Sequence, residues 1–92
     1  MLPNSVPLRQ IQPMPEIDRI SGIRICVFSR DHLPPHFHAF YGEHEALIEI
    51  REGVVIAGHL PRRKLREALD YLAENRDDLQ ETFYHLNPTL RQ

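Results

Sequence analysis

The sequence lacks the features that define several large classes of protein. It has a single cysteine, Cys26, so it can form neither an internal disulfide nor a cysteine-based zinc site. No apolar run approaches the roughly 20 residues that cross a bilayer, and the N-terminus has no apolar signal core. We therefore expect a cytoplasmic protein with no membrane association. The net charge of −2 argues against a protein that coats nucleic acid by bulk charge, although a local basic patch is compatible with it.

The length of 92 residues allows one small domain. Residues 1–13 contain three prolines and show no apolar periodicity, which predicts a flexible N-terminal arm. We expect the domain itself over residues 14–88 and a short C-terminal tail over residues 89–92. Cys26 lies in the apolar run of residues 23–28, which favours a buried and inert thiol.

Between residues 23 and 60 the apolar residues alternate with polar ones, and this period of two predicts β-strands. Two short turns, Gly42-Glu43 and Glu52-Gly53, separate the later strands. We expect about four antiparallel strands, at residues 23–28, 36–41, 45–51 and 54–60.

After residue 60 the apolar period becomes helical, with a stripe at Leu65, Ala68, Leu69 and Leu72. A second short helix is expected to begin near Asn75 and to end before Pro88. The sequence therefore predicts an α+β fold, in which a small antiparallel β-meander is covered on one face by one or two C-terminal helices.

The two-residue turn Gly42-Glu43 also predicts how the strands on either side of it pair, with His36 opposite Glu49. The same alternation places His36 and His38 together on one face of the sheet, where a carboxylate across the ladder could orient one of them. The opposite face, which we expect the helices to cover, gathers Phe37, Ala39, Tyr41, Ala46, Ile48 and Ile50.

Residues 31–39, Asp-His-Leu-Pro-Pro-His-Phe-His-Ala, are the most distinctive stretch, because they hold half of the six histidines around two consecutive prolines. The prolines stiffen the backbone, so several imidazoles are expected to face one place. The remaining histidines, His44, His59 and His85, are interpreted individually as structural. The candidate binding residues in the stretch are Asp31, His32, Pro34, Pro35, His36 and His38.

Two kinds of chemistry fit this stretch. The first is a metal site formed by His36 and His38 with His32 or Asp31, and with Glu49 in reserve. It would hold a divalent transition metal such as Zn, Ni, Cu or Fe, although nothing in the sequence requires a cofactor. The second is acid–base catalysis, for which His36, His38 and Glu49 are the candidate catalytic residues.

A third interpretation is recognition of a partner. Arg62, Arg63 and Lys64 lie in the first turn of the predicted helix, where three cations oppose the helix dipole unless an anionic group docks there. With the aromatic residues of the His-rich stretch, this cluster would suit contact with RNA, DNA or a protein.

Four segments occur in a recognisable order: residues 14–17 (Met-Pro-Glu-Ile), 22–25 (Gly-Ile-Arg-Ile), 31–38, and 58–63 (Gly-His-Leu-Pro-Arg-Arg). Together they resemble a small bacterial family catalogued as a domain of unknown function, with the signature Asp-His-x-Pro-Pro-His-Phe-His. The resemblance covers roughly residues 14–86 and implies no established activity. Genes of this family often lie beside another small gene, which implies toxin–antitoxin-like pairs, a small protein partner encoded nearby and nucleic-acid involvement. The matching positions include Pro61 and Arg62 besides the His-rich stretch.

We therefore expect a binding module of a toxin–antitoxin-like or regulatory pair. Its contact surface would combine residues 32–38 with Arg62, Arg63 and Lys64. The alternative is a metal-binding protein or a histidine-dependent hydrolase or nuclease that uses the same histidines. The oligomeric state is open, although an open sheet edge would allow a dimer.

Overall fold

A computed structural model describes residues 16–91 of the chain, and the predicted arm at residues 1–13 lies outside the described residues. Five antiparallel strands form one sheet, in which their order is the same as their order along the chain. A long helix, α1, follows at Arg62–Leu86, and a short 3-10 helix lies after it at Pro88–Leu90. The α+β prediction is confirmed. The strands are β1 at Glu16–Ile20, β2 at Ile23–Cys26, β3 at His36–Tyr41, β4 at His44–Glu49 and β5 at Val55–Gly58.

The sequence prediction was one strand short, because β1 carries no buried alternation. Four of its five residues are exposed, and only Ile20 is partly buried. The strand pairs with β2 through a turn in which Ser21 and Gly22 both have positive φ, 48° and 78°. An ion pair between Arg19 and Glu16, at 3.0 Å, lies on this exposed edge. An edge strand of this kind lacks the period of two that reveals a half-buried strand.

The pairing predicted from the Gly42-Glu43 turn is confirmed, with His36 opposite Glu49 and Ala39 opposite Ala46. The predicted inner face is also present, and it packs against the apolar stripe of α1. Each large apolar side chain buried there stabilises the fold by about 1.5–3 kcal/mol. Tyr41 is partly buried, and the fully buried members of the interface are Phe37, Ala39, Ala46, Ile48, Ile50, Ala68, Leu72, Leu79 and Phe83.

The predicted second helix is the second half of α1, and a single residue with irregular backbone angles divides it from the first half. Asn75 has non-helical angles (φ −131°, ψ 19°), and its side-chain amide donates to the Tyr71 carbonyl at 2.9 Å. The chain bends at this residue and continues to Leu86, and Phe83 contacts His36 at the first residue of β3. Among residues 16–91, no helix combines the length and apolarity that crossing a membrane requires.

Candidate functional site

The site forms where the loop between β2 and β3 folds back over the first residues of β3. Strand alternation directs His36 and His38 to the same side of the sheet. The loop contains Arg30 in a left-handed conformation (φ 57°) and a cis peptide bond between Leu33 and Pro34. Its path brings the carboxylate of Asp31 onto both imidazoles, although Asp31 lies five and seven residues before them.

One oxygen of Asp31 is the meeting point of the two rings. Oδ2 lies 3.0 Å from Nε2 of His36 and 3.2 Å from Nε2 of His38. The three ligand atoms all lie within 4.8 Å of one another. The side chains of both histidines are 0% exposed and that of Asp31 is 4% exposed. These three residues, called the Asp-His-His triad below, therefore form a buried polar cluster.

The outer nitrogens of both rings are held by oxygen acceptors. Nδ1 of His36 lies 2.8 Å from the carbonyl oxygen of Pro34, and Nδ1 of His38 lies 2.9 Å from Oε2 of Glu45. Neither a carbonyl nor a carboxylate oxygen can donate, so each Nδ1 must carry the hydrogen. In a neutral imidazole this assignment makes Nε2 the unprotonated nitrogen. When both rings are neutral, their Nε2 atoms therefore direct lone pairs towards the Asp31 carboxylate.

Three acceptors that face one another are stabilised by positive charge, either from ring protons or from a cation between them. Protons on both rings would supply positive charge. The two carboxylates, Asp31 and Glu45, and the two charged rings would then lie in one largely buried cluster, which costs desolvation energy. A metal ion supplies the positive charge without protonating either ring. In a tetrahedral site with bonds of 2.0–2.1 Å the ligand atoms lie about 3.3 Å apart. The observed 3.0 and 3.2 Å separations are ordinary hydrogen-bond distances that also allow such a site, and the two Nε2 atoms lie within 4.8 Å of each other.

The electrostatics of Asp31 follow from the same contacts. Burial alone would raise the pKa of this carboxyl. The backbone N–H of His32 lowers it, as do a hydrogen bond from His38 and the positive charge of the His36 and His38 rings when these rings are protonated, and the pKa lies below its ordinary value. The residue is consequently held as a carboxylate, the form that binds cations.

Asn87 anchors the loop that carries Asp31, and the sequence analysis missed it. Its side chain is buried at the C-terminal end of α1, where Oδ1 accepts the Asp31 backbone N–H at 2.8 Å. Its Nδ2 donates to the carbonyls of Phe28, at 2.9 Å, and Phe83, at 3.0 Å. An asparagine before Pro88 indicates only a helix end, and nothing local points to a contact 56 residues away.

Glu45 is a second residue that the sequence analysis did not select. Glu49 was preferred because it lies directly opposite His36, but its carboxylate accepts the backbone N–H of Glu52. Glu45 pairs with Phe40, and its side chain reaches His38 diagonally across the ladder. Diagonal neighbours lie within reach of long side chains. The strand alternation that places His36 and His38 on one face of the sheet places Glu45 on the same face, and this was the available signal for it.

The other residues of the predicted loop have separate positions. Pro34 supplies the carbonyl that binds His36, and the Pro35 carbonyl accepts the N–H of Ile50 at 3.0 Å, which ties the loop to the end of the sheet. The ring of His32 is 70% exposed, with Nε2 3.6 Å from Oδ1 of Asp31. His32 therefore lies at the rim of the triad.

The basic residues Arg62, Arg63 and Lys64 lie apart from the triad. Lys64 donates to the Ser21 carbonyl at 2.8 Å. Its Nζ also lies 4.8 Å from the centre of the ring of Tyr41, which is the last residue of β3. His36, at the first residue of β3, contacts Phe83 with ring centres 5.6 Å apart. Six strand residues span about 17 Å. The two predicted contact regions thus lie at opposite ends of the strand.

Comparison with known proteins was made against families, curated proteins and solved structures. The family model described as "Domain of unknown function (DUF4160)" matches residues 22–83, which includes all three residues of the triad. Neither the curated proteins nor the solved structures give a significant match.

Proposed function

Because the chain belongs to the family described as a domain of unknown function (DUF4160), its own site is the guide to its role, and we propose that Asp31, His36 and His38 bind one divalent transition-metal ion. The observation that carries this proposal is the hydrogen bonding of the two buried rings. Each ring gives its Nδ1 hydrogen to an oxygen outside the triad and turns Nε2 towards one oxygen of Asp31.

The chemistry of the ligands narrows the choice of metal. Two imidazoles and one carboxylate suit zinc, iron(II), cobalt(II) or nickel(II), whereas sites for magnesium and calcium are built from oxygen ligands. The thiol of Cys26 lies outside the group of candidate ligands. Zinc is the natural first test, because three protein ligands and one further position are the usual arrangement of a catalytic zinc.

The contacts outside the triad support the same proposal. Metal-binding histidines usually donate their second ring N–H to a carboxylate or a backbone carbonyl, which fixes the tautomer and orients the ring. Glu45 provides the carboxylate for His38, and Pro34 provides the carbonyl for His36. The stiff Pro34-Pro35 segment would therefore help to orient a metal ligand, because it holds the Pro34 carbonyl oxygen against Nδ1 of His36.

The test is a zinc titration of untagged protein by competition with a chromophoric chelator. We expect one equivalent of zinc for the native chain, and binding weakened by more than about 100-fold in His36→Gln and in His38→Gln, since outer-shell changes alone cost about 10–100-fold. Glutamine is used because both rings are buried. Circular dichroism and urea unfolding of each variant show whether it remains folded.

A matched control is available in the same chain. His44 and His59 are exposed and lie with ring centres 5.6 Å apart, away from Asp31. The double variant His44→Gln/His59→Gln should bind zinc as the native chain does. Absence of zinc binding by the native chain, or equal affinity in the site and control variants, would contradict the proposal and leave the triad as a metal-free charge network.

Binding of nucleic acid is a second candidate function, supported by a different surface. Arg62, Arg63 and Arg66 are exposed and line one depression at the start of α1, whose first turn has no acidic residue. We expect Arg62→Ala/Arg63→Ala to weaken binding of single-stranded RNA and to lower its dependence on salt, with Arg19→Ala as the control. The small protein partner and the toxin–antitoxin-like pairing stay predictions.

A further inference from the structure

We propose that His32 is an exchangeable third imidazole ligand, which closes the metal site on its solvent side and leaves a coordination position open when it swings away. This inference rests on the proposed metal site. It assigns the site a closed state with four protein ligands and an open state with three.

The first observation is that His32 repeats the hydrogen-bonding pattern of the two buried rings. Its Nδ1 lies 3.1 Å from the carbonyl oxygen of Leu33, an acceptor that requires the hydrogen on Nδ1. Its Nε2 faces Asp31, 3.6 Å from Oδ1. All three imidazoles of the stretch therefore turn the same nitrogen towards the same carboxylate.

The second observation is the spacing of the rings. The ring centres of His32 and His36 lie 5.2 Å apart, and those of His36 and His38 also lie 5.2 Å apart. When two imidazoles bind a tetrahedral metal through Nε2 at 2.0–2.1 Å, their ring centres lie about 5.2 Å apart. The group of ligand atoms that lie within 4.8 Å of one another contains Asp31, His36 and His38 but not His32, so a change of its rotamer is what would bring His32 onto the ion.

The third observation is the contrast in exposure. The side chain of His32 is 70% exposed, whereas those of His36 and His38 are 0% exposed. An exposed side chain changes rotamer readily, while a buried one is held by its neighbours. The 3.6 Å separation from Asp31 is also longer than the 3.0 and 3.2 Å separations of the buried rings. His32 is therefore the ligand that can leave.

The consequence is a site whose reactivity depends on one exposed side chain. With His32 bound, four protein ligands surround the ion, as in structural zinc sites. With His32 released, three remain and the fourth position accepts water or a small anion, which is the arrangement that lets a metal activate water. His32 would then regulate access to the ion from solvent.

The experiment uses cobalt(II) as the metal probe and azide as the incoming anion. The native chain, His32→Ala and the control His44→Ala are each loaded with cobalt, and the visible spectrum is recorded during an azide titration. We expect His32→Ala to retain one equivalent of cobalt with an altered spectrum. Because azide no longer competes with the imidazole, we expect it to bind at least about tenfold more tightly than to the native chain or the control.

Three results would overturn the inference. A His32→Ala spectrum and azide affinity equal to those of the native chain would show that His32 does not reach the ion. Complete loss of cobalt from His32→Ala would make His32 a permanent ligand rather than an exchangeable one. Failure of the native chain to bind cobalt or zinc would reject the metal site itself, a result distinct from the other two.

Discussion

Replacing Asn87 by alanine tests how the fold holds Asp31 in place. The side chain is 4% exposed and makes three hydrogen bonds, to the Asp31 N–H and to the carbonyls of Phe28 and Phe83. The Phe83 carbonyl also accepts the backbone N–H of residue 87 at 2.9 Å, so it keeps a partner in the variant. The main losses are the amide contacts to Asp31 and Phe28.

The size of the effect follows from these contacts. A typical hydrogen bond contributes about 0.5–1.5 kcal/mol net, and a buried group deprived of its partner costs about 1–3 kcal/mol. For Asn87→Ala we therefore expect the free energy of unfolding to fall by roughly 2–4 kcal/mol. Because the loop carrying Asp31 is released, metal affinity should fall by about 10–100-fold, as for other residues that orient a ligand.

Urea unfolding and a zinc competition titration measure the two effects. The matched control is Asn75→Ala, which removes one hydrogen bond, to the Tyr71 carbonyl, at the bend in α1. We expect this control to lose about 1 kcal/mol and to bind zinc normally. The reasoning is refuted if Asn87→Ala is no less stable than Asn75→Ala and binds zinc with native affinity.

Three further predictions concern the fold and its titrating groups. Gly58→Ala should destabilise the chain far more than Gly42→Ala in urea unfolding, because a Cβ at Gly58 would clash with the Glu45 carbonyl oxygen, whereas nothing lies within 4 Å of a Cβ at Gly42. Equal losses of stability would contradict this packing argument. Burial raises the pKa of the Cys26 thiol to about 11, so iodoacetamide should label it at pH 8 only after unfolding, and rapid labelling of the folded chain would count against this burial. Burial raises the pKa of Tyr71 from 10.0 to about 12, so its stabilising contribution is complete below pH 10 and falls between pH 10 and about 12, and a slope that persists in Tyr71→Phe would assign it to another group.

The pairing of the central strands was predictable because it depends on local chemistry. The turn Gly42-Glu43 and the alternation on either side of it fix which residues face each other, and the predicted pair His36 and Glu49 is present. The exposed strand β1 gives no such pattern, so its sequence did not reveal it. The non-helical residue Asn75 divides α1 into two segments at the position where the sequence predicted the start of a second helix.

The site was predictable only in part. Alternation correctly placed His36 and His38 on one side of the sheet, but it could not indicate that both rings are buried. Their burial comes from distant residues: the Phe28 ring packs edge-on against His38 with centres 4.5 Å apart, and Phe83 packs against His36. Asn87 contributes through a contact across the fold, which no local pattern encodes.

The match to the DUF4160 family confirms the resemblance to a domain of unknown function. Because that description names no activity, the proposed chemistry depends on the residues of this chain. The expected binding surface depended on joining the His-rich stretch to Arg62, Arg63 and Lys64. These regions lie at opposite ends of β3, so they are better tested as two surfaces. A metal assay on the histidine variants and an RNA assay on the arginine variants separate them.

X-ray absorption at the zinc edge of untagged, zinc-loaded protein tests the central claim most directly. The account predicts one ion with nitrogen and oxygen neighbours at about 2.0–2.1 Å and with the outer scattering of two or three imidazoles. In His36→Gln/His38→Gln the contribution of these two imidazoles should be lost, which leaves at most that of His32. A shell of oxygen neighbours alone, or a sulfur neighbour at about 2.3 Å, would contradict binding by Asp31, His36 and His38.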